Sequence, residues 1–391
     1  MKEIGVMCVS LSQEIIRYIE AHQEESLNLL MELAWIPAPS HHEDKRVSFC
    51  VEWLKRNGVE SVYTDEAKNV ICPFGDCGEN SSLVVFMAHS DVVFPDTEEL
   101  PLHIDGERLY CPGVGDDTIN VVHLLMAARY LSEHKLRPKQ GGVLLVINSC
   151  EEGLGNLYGT RTLVGRFGQR ISAVYAFDCE NGIVYSDAVG SLRYRVEVKT
   201  EGGHSFSDFG NRNAIFYLSS LITSLYQLNV PEKGTNTYNV GVIQGGTSVN
   251  TIAQQAEMLF EMRSDCRESL AEMDEHFKAA IDFYRKKGIS VQVELVGERP
   301  CAGQVDMEKQ NAMVCQVAET IKRYFDVEIK LSSGSTDCNI PLSCGIPAVA
   351  GGCFIGHGAH TREEYIEISS ICPSQKVAFD MILDQFQTNE E

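Results

Sequence analysis

Three short, unbroken apolar runs govern what this chain can become: residues 83–87, 143–147 and 173–177. A strand that meets solvent on one face alternates apolar and polar side chains. A run apolar throughout is buried on both faces, which suits parallel strands covered by helices on either side. Between the first two runs, residues 120–132 repeat apolar positions at helical spacing. The order strand, helix, strand marks an α/β sandwich. Each run leads into groups that bind metal or move protons. His89-Ser90-Asp91 follows the first, Cys150-Glu151-Glu152-Gly153 the second and Asp178 the third. In open α/β sheets, sites form beyond the carboxyl ends of the strands.

The remaining pattern divides the chain. Residues 13–33 read as a helix that stops before Pro37-Ala38-Pro39, and residues 47–57 as a second, ended by Gly58. Near Gly190 the character changes. Strands are expected over 192–198, 238–245, 256–263 and 290–296, with helices over 213–227 and 269–287. That β-α-β-β-α-β order matches a split-βαβ, ferredoxin-like α+β unit. After residue 297 the α/β pattern returns, with a helix over 310–325, a short segment at 340–344 and a buried strand over 348–352. The expected architecture is therefore an α/β catalytic domain in two pieces, 1–190 and 298–391, built on a mixed, mostly parallel sheet. An inserted domain occupies 191–297.

Composition narrows the partners. With 391 residues, 44% of them hydrophobic, the chain can bury a substantial core. Its formal net charge of -22 repels phosphate backbones and anionic lipid, which argues against nucleic-acid and membrane-surface roles. No apolar run reaches the roughly 18 residues that a membrane span needs. The 14 cysteines form no Cys-x-x-Cys pair. The first dozen residues lack a basic stretch followed by an apolar core. Thiols without an export signal point to the cytoplasm, most of them as small buried hydrophobes.

The individual candidates each admit two readings. His89 can bind a metal through one ring nitrogen while Asp91 holds the other and fixes the tautomer. It can equally be a loop histidine beside a helix-capping aspartate. Asp116-Asp117, in Pro112-Gly113-Val114-Gly115-Asp116-Asp117-Thr118, can be a cap with an acidic first turn, or a carboxylate bridging two cations. Glu151 and Glu152 repel each other unless a cation lies between them or one is protonated. One as base and one as ligand suits metal hydrolysis. His360 follows the glycine-rich Gly356-His357-Gly358-Ala359. Two histidines with several carboxylates match divalent ions, zinc first, with cobalt or manganese as alternatives.

With these residues in place, the chain resembles the M20 family of metallopeptidases over about residues 25–368. The likeness is carried by Ala88-His89-Ser90-Asp91, Gly115-Asp116-Asp117, Glu151-Glu152-Gly153, Asp178 and Gly202-Gly203-His204-Ser205. It continues through the run Gly245 to Ile252, Glu261-Met262-Arg263 and Gly334-Ser335-Thr336-Asp337, and it closes with Gly358-Ala359-His360-Thr361-Arg362-Glu363-Glu364-Tyr365.

The resemblance implies that Asp116 bridges two zinc ions. His89 and Asp178 would complete one site, and Glu152 and His360 the other, with Asp91 orienting His89. Glu151 would be the general base that deprotonates a water held between the metals. A cis peptide is implied between Asp116 and Asp117. The inserted domain would be a lid through which a homodimer forms, and His204 would stabilise the oxyanion. Asn250, Arg263 and Thr336 would contact substrate, although a surface ion pair with Asp265 or Glu261 is the other reading of Arg263.

The chain departs from several members at Thr118-Ile119-Asn120, where they carry Lys or Met and then Gly; packing rather than ligation is expected to change. An Asp at position 178 resembles aminopeptidase and aminoacylase-type members. The expected activity is amide hydrolysis of di- or tripeptides from the amino end. The alternatives are an N-acyl amino acid deacylase or carboxypeptidase of the same family, and a catalytically silent binding relative. The intact set of candidate ligands argues against the silent relative.

Overall fold

The computed structural model describes residues 10–387. The chain folds as two compact units, one formed by Met1–Asp187 with Gly303–Glu391 and the other by Ala188–Ala302.

The first unit is organised by an eight-stranded sheet. Its order is Tyr63–Thr64, Val70–Gly75, Gly142–Asn148, Leu83–His89, Ile171–Phe177, Ala348–Gly351, Ile183–Ala188, Lys330–Gly334. The three apolar runs lie side by side in its centre. There the four strands from Gly142–Asn148 to Ala348–Gly351 run parallel. Val70–Gly75 and Ile183–Ala188 flank them antiparallel. The fold is thus the mixed α/β sandwich that the runs predict. Every residue of Gly142–Asn148 is buried, as a strand covered on both faces requires. The register sets His89 opposite Asn148 and Met87 opposite Ala176, so the carboxyl ends of three strands finish level with one another.

Helix Ile119–Glu133 is buried from residue 119 to 131 and packs against Leu83–His89, Gly142–Asn148 and the helices Gln23–Trp35, Asp44–Arg56 and Ile371–Leu383. A helix apolar on all sides belongs in such a position. The expected single helix over 13–33 is instead two, Gln13–Ala21 and Gln23–Trp35. His22 is the break. Its ring Nδ1 lies 2.7 Å from the Tyr18 carbonyl, and its N–H bonds to Tyr18 and Ile19. The ring thus adds a second bond to a carbonyl that the main chain already uses, and the break lies in the His22 backbone, at φ -106° and ψ 15°. Of the segment 340–344, residues 340–343 lie in a short helix, Asn339–Ser343, and Cys344 caps it.

The second unit is a four-stranded antiparallel sheet in the order Asn236–Gly245, Gln255–Ser264, Gly190–Lys199, Ser290–Arg299. Strand Gln255–Ser264 alternates buried and half-buried residues. Its inner side chains join those of helices Ala214–Leu225 and Arg267–Lys286 in one core. Phe277 stacks between Tyr194 and Phe260, with centroids 4.5 and 5.3 Å away. This is the ferredoxin-like α+β unit that the element order predicts. Among the described residues, no helix is long and apolar enough to cross a membrane.

Candidate metal centre and active site

The level strand ends of the first unit bring the candidate residues to one edge. His89 closes its strand, and its own N–H donates to Asp117 Oδ2 at 2.9 Å. Its Nδ1 lies 3.0 Å from the Asp91 main-chain carbonyl and 3.6 Å from Asp91 Oδ1. The nearer orienting oxygen is therefore the carbonyl. The Asp91 carboxylate is engaged elsewhere: it accepts the N–H groups of Glu151 and Glu152, each at 2.9 Å, and the Ser40 hydroxyl at 2.7 Å. Asp91 thus ties the end of one strand to the turn after its neighbour. That turn bends through Cys150, whose φ is 56°. Buried Glu43 accepts the Cys150 N–H at 3.1 Å and the His41 N–H at 2.9 Å.

Asp116 arrives on a separate turn, Val114–Thr118, and its peptide bond to Asp117 is cis. Gly113 opens the turn at φ 75°, where an added Cβ would lie 2.2 Å from Val92 Cγ1. Asp117 is turned into the protein, where its Oδ1 accepts the Asn120 amide at 2.6 Å. Thr118 bonds to the Gly113 carbonyl and receives Arg46 Nη1. Thr118, Ile119 and Asn120 are all fully buried beside the turn.

The donor atoms converge. His89, Asp116 and Asp178 present ligand-type atoms within 4.8 Å of one another, and so do Asp116, Glu152 and His360, and His89, Glu151 and Glu152. Asp116 belongs to two of these groups. Its Oδ1 lies 2.9 Å from His89 Nε2 and its Oδ2 lies 3.1 Å from His360 Nε2. His360 Nε2 is also 3.0 Å from Glu152 Oε1.

The electrostatics follow from crowding acids out of water. Burial, reinforced by Asp116, Glu151 and Asp337, pushes the Asp178 carboxyl up to about 8. Burial, with Asp116 and Glu151, pushes Glu152 up to about 7. Burial and the neighbouring Glu151 take Asp337 to about 7, and burial with Asp116 takes Glu364 there as well. Hydrogen bonds to Asp116 and Glu152 hold the His360 imidazole up at about 11. Burial opposes the charge on Asp116, yet His360 and His89 outweigh it and hold that carboxyl well below the usual range.

Such a cluster suits a divalent cation, which relieves the mutual repulsion of buried carboxylates that otherwise stay protonated. The donors are imidazole nitrogens and carboxylate oxygens only, a set that fits zinc, cobalt or manganese. The nearby thiols bond elsewhere. Cys150 Sγ meets Glu43 Oε1 at 3.1 Å and His41 Nδ1 at 3.3 Å. Cys179 Sγ lies 3.7 Å from the Ile183 carbonyl.

The other predicted site residues serve neighbouring groups. In the second unit, His204 lies on a short strand paired with Thr251–Ile252, next to Asn250. His204 Nδ1 accepts the N–H of Phe206 at 3.2 Å, and Asn250 Oδ1 accepts the Ser248 hydroxyl at 2.7 Å. Arg263 forks onto Glu261 at 2.6 and 3.1 Å, and Glu261 is shared with Arg193. In the first unit, buried Thr336 accepts the Cys338 N–H at 3.2 Å ahead of helix Asn339–Ser343.

The supporting carboxylates Glu43, Asp117 and Glu364 and the guanidinium of Arg46 carried no assignment from sequence. Asp117 and Glu364 lie inside the quoted motifs, so a search for acids flanking ligand positions would have found them. Glu43 and Arg46 look like ordinary charges at the start of a helix.

Comparison with known proteins identifies the family. A profile described as Peptidase family M20/M25/M40 matches residues 85–384. The uncharacterised protein YqjE of Bacillus subtilis is 23% identical over 378 residues, 92% of this chain and 98% of its own. Among solved structures, a tripeptidase from Staphylococcus aureus superposes with a TM-score of 0.73 at 21% identity, covering 92% of this chain and 98% of that one. A dinuclear metal-binding peptidase of Bacillus subtilis gives 0.62 at 17% identity, covering 94% and 99%. The chain belongs to peptidase family M20/M25/M40, whose members are metal-dependent peptidases and amidohydrolases.

Proposed function

We propose that this chain is an aminopeptidase of di- or tripeptides that works with two zinc ions. The observation that carries the reading is the placement of Asp116, one carboxylate oxygen toward His89 and the other toward His360. His89 and Asp178 would hold one ion with Asp116; Glu152 and His360 would hold the other. Bound there, the ions would supply Lewis-acid polarisation of the scissile carbonyl and an acidified water. Glu151 is 5% exposed, and its carboxylate lies among the donors of His89 and Glu152. It takes a proton from the attacking water and delivers it to the leaving amine nitrogen.

The His204 hydrogen bonds support an oxyanion role. With Nδ1 accepting main-chain N–H groups, the neutral ring carries its proton on Nε2, free to donate. Loss of a comparable donor typically costs about 10²–10³ in rate. Asn250 and Thr336 are proposed to line the substrate site, and Arg263 would exchange Glu261 for a substrate carboxylate. The similarity to a tripeptidase fold supports the peptide reading.

A homodimer through the second unit is part of the proposal. Edge strand Asn236–Gly245 exposes Val242 and Ile243, and the adjacent helix exposes Ile215 and Phe216. An edge strand with apolar neighbours is a pairing surface. The thirteen described cysteines are all free, which favours a reducing cytoplasm.

The test is product analysis by mass spectrometry. Zinc-loaded and chelator-treated protein meet a panel of dipeptides, tripeptides and N-acetyl amino acids. Chelator-sensitive release of an amino-terminal residue is expected. Cleavage confined to N-acyl compounds would replace the aminopeptidase reading with a deacylase.

A further inference from the structure

The centre depends on a turn that is not tied down by its own strand. Three of its N–H groups, those of Gly113, Gly115 and Asp116, donate to one carboxylate. Glu364 is 3% exposed and lies on the loop between His360 and strand Tyr365–Glu367. Its Oε2 accepts the Gly113 N–H at 2.7 Å, and its Oε1 accepts those of Gly115 at 2.8 Å and Asp116 at 2.9 Å. The Glu364 main chain joins in, its carbonyl taking the Cys111 N–H at 3.1 Å. Beyond it, Tyr365–Glu367 pairs with Arg108–Tyr110, which aligns the two segments before they reach the site. Gly115 leaves no slack on the other side, because a Cβ there would lie 2.6 Å from the Phe354 ring.

A buried carboxylate that receives three main-chain donors is an unusual investment for a surface loop, since taking the charge out of water costs stability unless it is fully hydrogen-bonded. Its location explains the use. The Asp116 N–H is one of the three donors, and His360 lies four residues upstream on the same loop as Glu364. One side chain therefore links the turn bearing Asp116 to the loop bearing His360.

We propose that Glu364 is a positioning residue for the two-metal centre, fixing residues 113–116 so that the two oxygens of Asp116 stay directed at His89 and His360. The proposal rests on the reading that two ions bind these groups. Glu364 belongs to none of the donor groups that would hold the ions.

Glu364→Gln tests it. Glutamine keeps the shape but offers one acceptor oxygen where three N–H groups converge on two, and its NH₂ would face a donor. The measurement is zinc affinity by competition with a chromophoric chelator, alongside the melting temperature of the metal-free protein. Two ions bound 10–100-fold more weakly are expected, the range for partners that orient ligands, together with a lower metal-free melting temperature, because a buried N–H loses its acceptor. Arg362→Gln is the reference on the same loop, because Arg362 forks onto Asp96 at 2.9 and 2.7 Å; its zinc affinity should not move. Glu364→Asp keeps both acceptor oxygens on a shorter arm and should fall between. Unchanged affinity in Glu364→Gln overturns the positioning role. If that variant does not fold, unchanged affinity in Glu364→Asp overturns it instead. Failure of the unmodified protein to bind zinc would defeat the metal reading, a separate result.

Discussion

At the scale of single residues, neighbouring carboxylates in this protein divide their work by environment. Asp116 faces two histidines, while Asp117, one residue on, is buried among the His89 N–H and the Asn120 amide. Glu151 and Glu152 share an anchor in Asp91, but Glu152 meets His360 and is grouped with Asp116. The base assignment yields a direct prediction. Glu151→Gln should lower kcat by about 10²–10⁴-fold, the usual contribution of a general base, with two zinc ions still bound by elemental analysis. Retained turnover would remove Glu151 from that role. Loss of turnover together with the metals would make it a ligand instead.

At the scale of elements, packing decides both stability and its pH dependence. Phe277 is 1% exposed and sandwiched by Tyr194 and Phe260 in the core of the second unit. Phe277→Ala should cost about 3–5 kcal/mol in denaturant unfolding. A cost below 1 kcal/mol would mean that this core is not packed as described.

In the first unit, His123 lies on buried helix Ile119–Glu133, its Nε2 3.2 Å from the Ser374 hydroxyl of helix Ile371–Leu383. Burial pushes its imidazole down to about 3. The folded value lies below the unfolded value of about 6.5. The neutral ring therefore stabilises the fold fully above that pH, and the contribution is lost as pH falls toward 3, because the unfolded chain takes up a proton that the fold refuses. Between pH 7 and pH 5 the loss is about 2 kcal/mol. The stability gap between the unmodified protein and His123→Asn should close by that amount over this window. A gap independent of pH would show that His123 takes up its proton as readily in the fold as in the unfolded chain.

At the scale of the whole molecule, the proposed ions and second copy would add stability by mass action. Once both sites are filled, each tenfold rise in free zinc should add about 1.4 kcal/mol per bound ion, seen as a rising melting temperature. A melting temperature indifferent to zinc would mean that the cluster does not bind it. For the assembly, sedimentation should show a dimer that Phe216→Lys with Ile243→Lys shifts toward monomer while the circular dichroism stays the same. A monomer before any substitution would refute the dimer.

Much of the first unit's architecture was legible from its three apolar runs, because a strand buried on both faces can occupy few places in a domain. The strand Val70–Gly75 was not, since Pro73 interrupts its pattern and it lies outside the parallel centre. The break at His22 was also invisible, because no proline or glycine marks it. By itself the sequence determined which residue types close the central strands, and hence what chemistry could gather at that edge. Tertiary structure alone decided how they are held. Asp116 and Glu364 meet across 248 residues of chain, and the three N–H bonds that the Glu364 carboxylate accepts come from backbone groups that every residue type but proline carries. Spacing encodes periodicity along one element; it holds no record of which distant turn will receive a buried carboxylate.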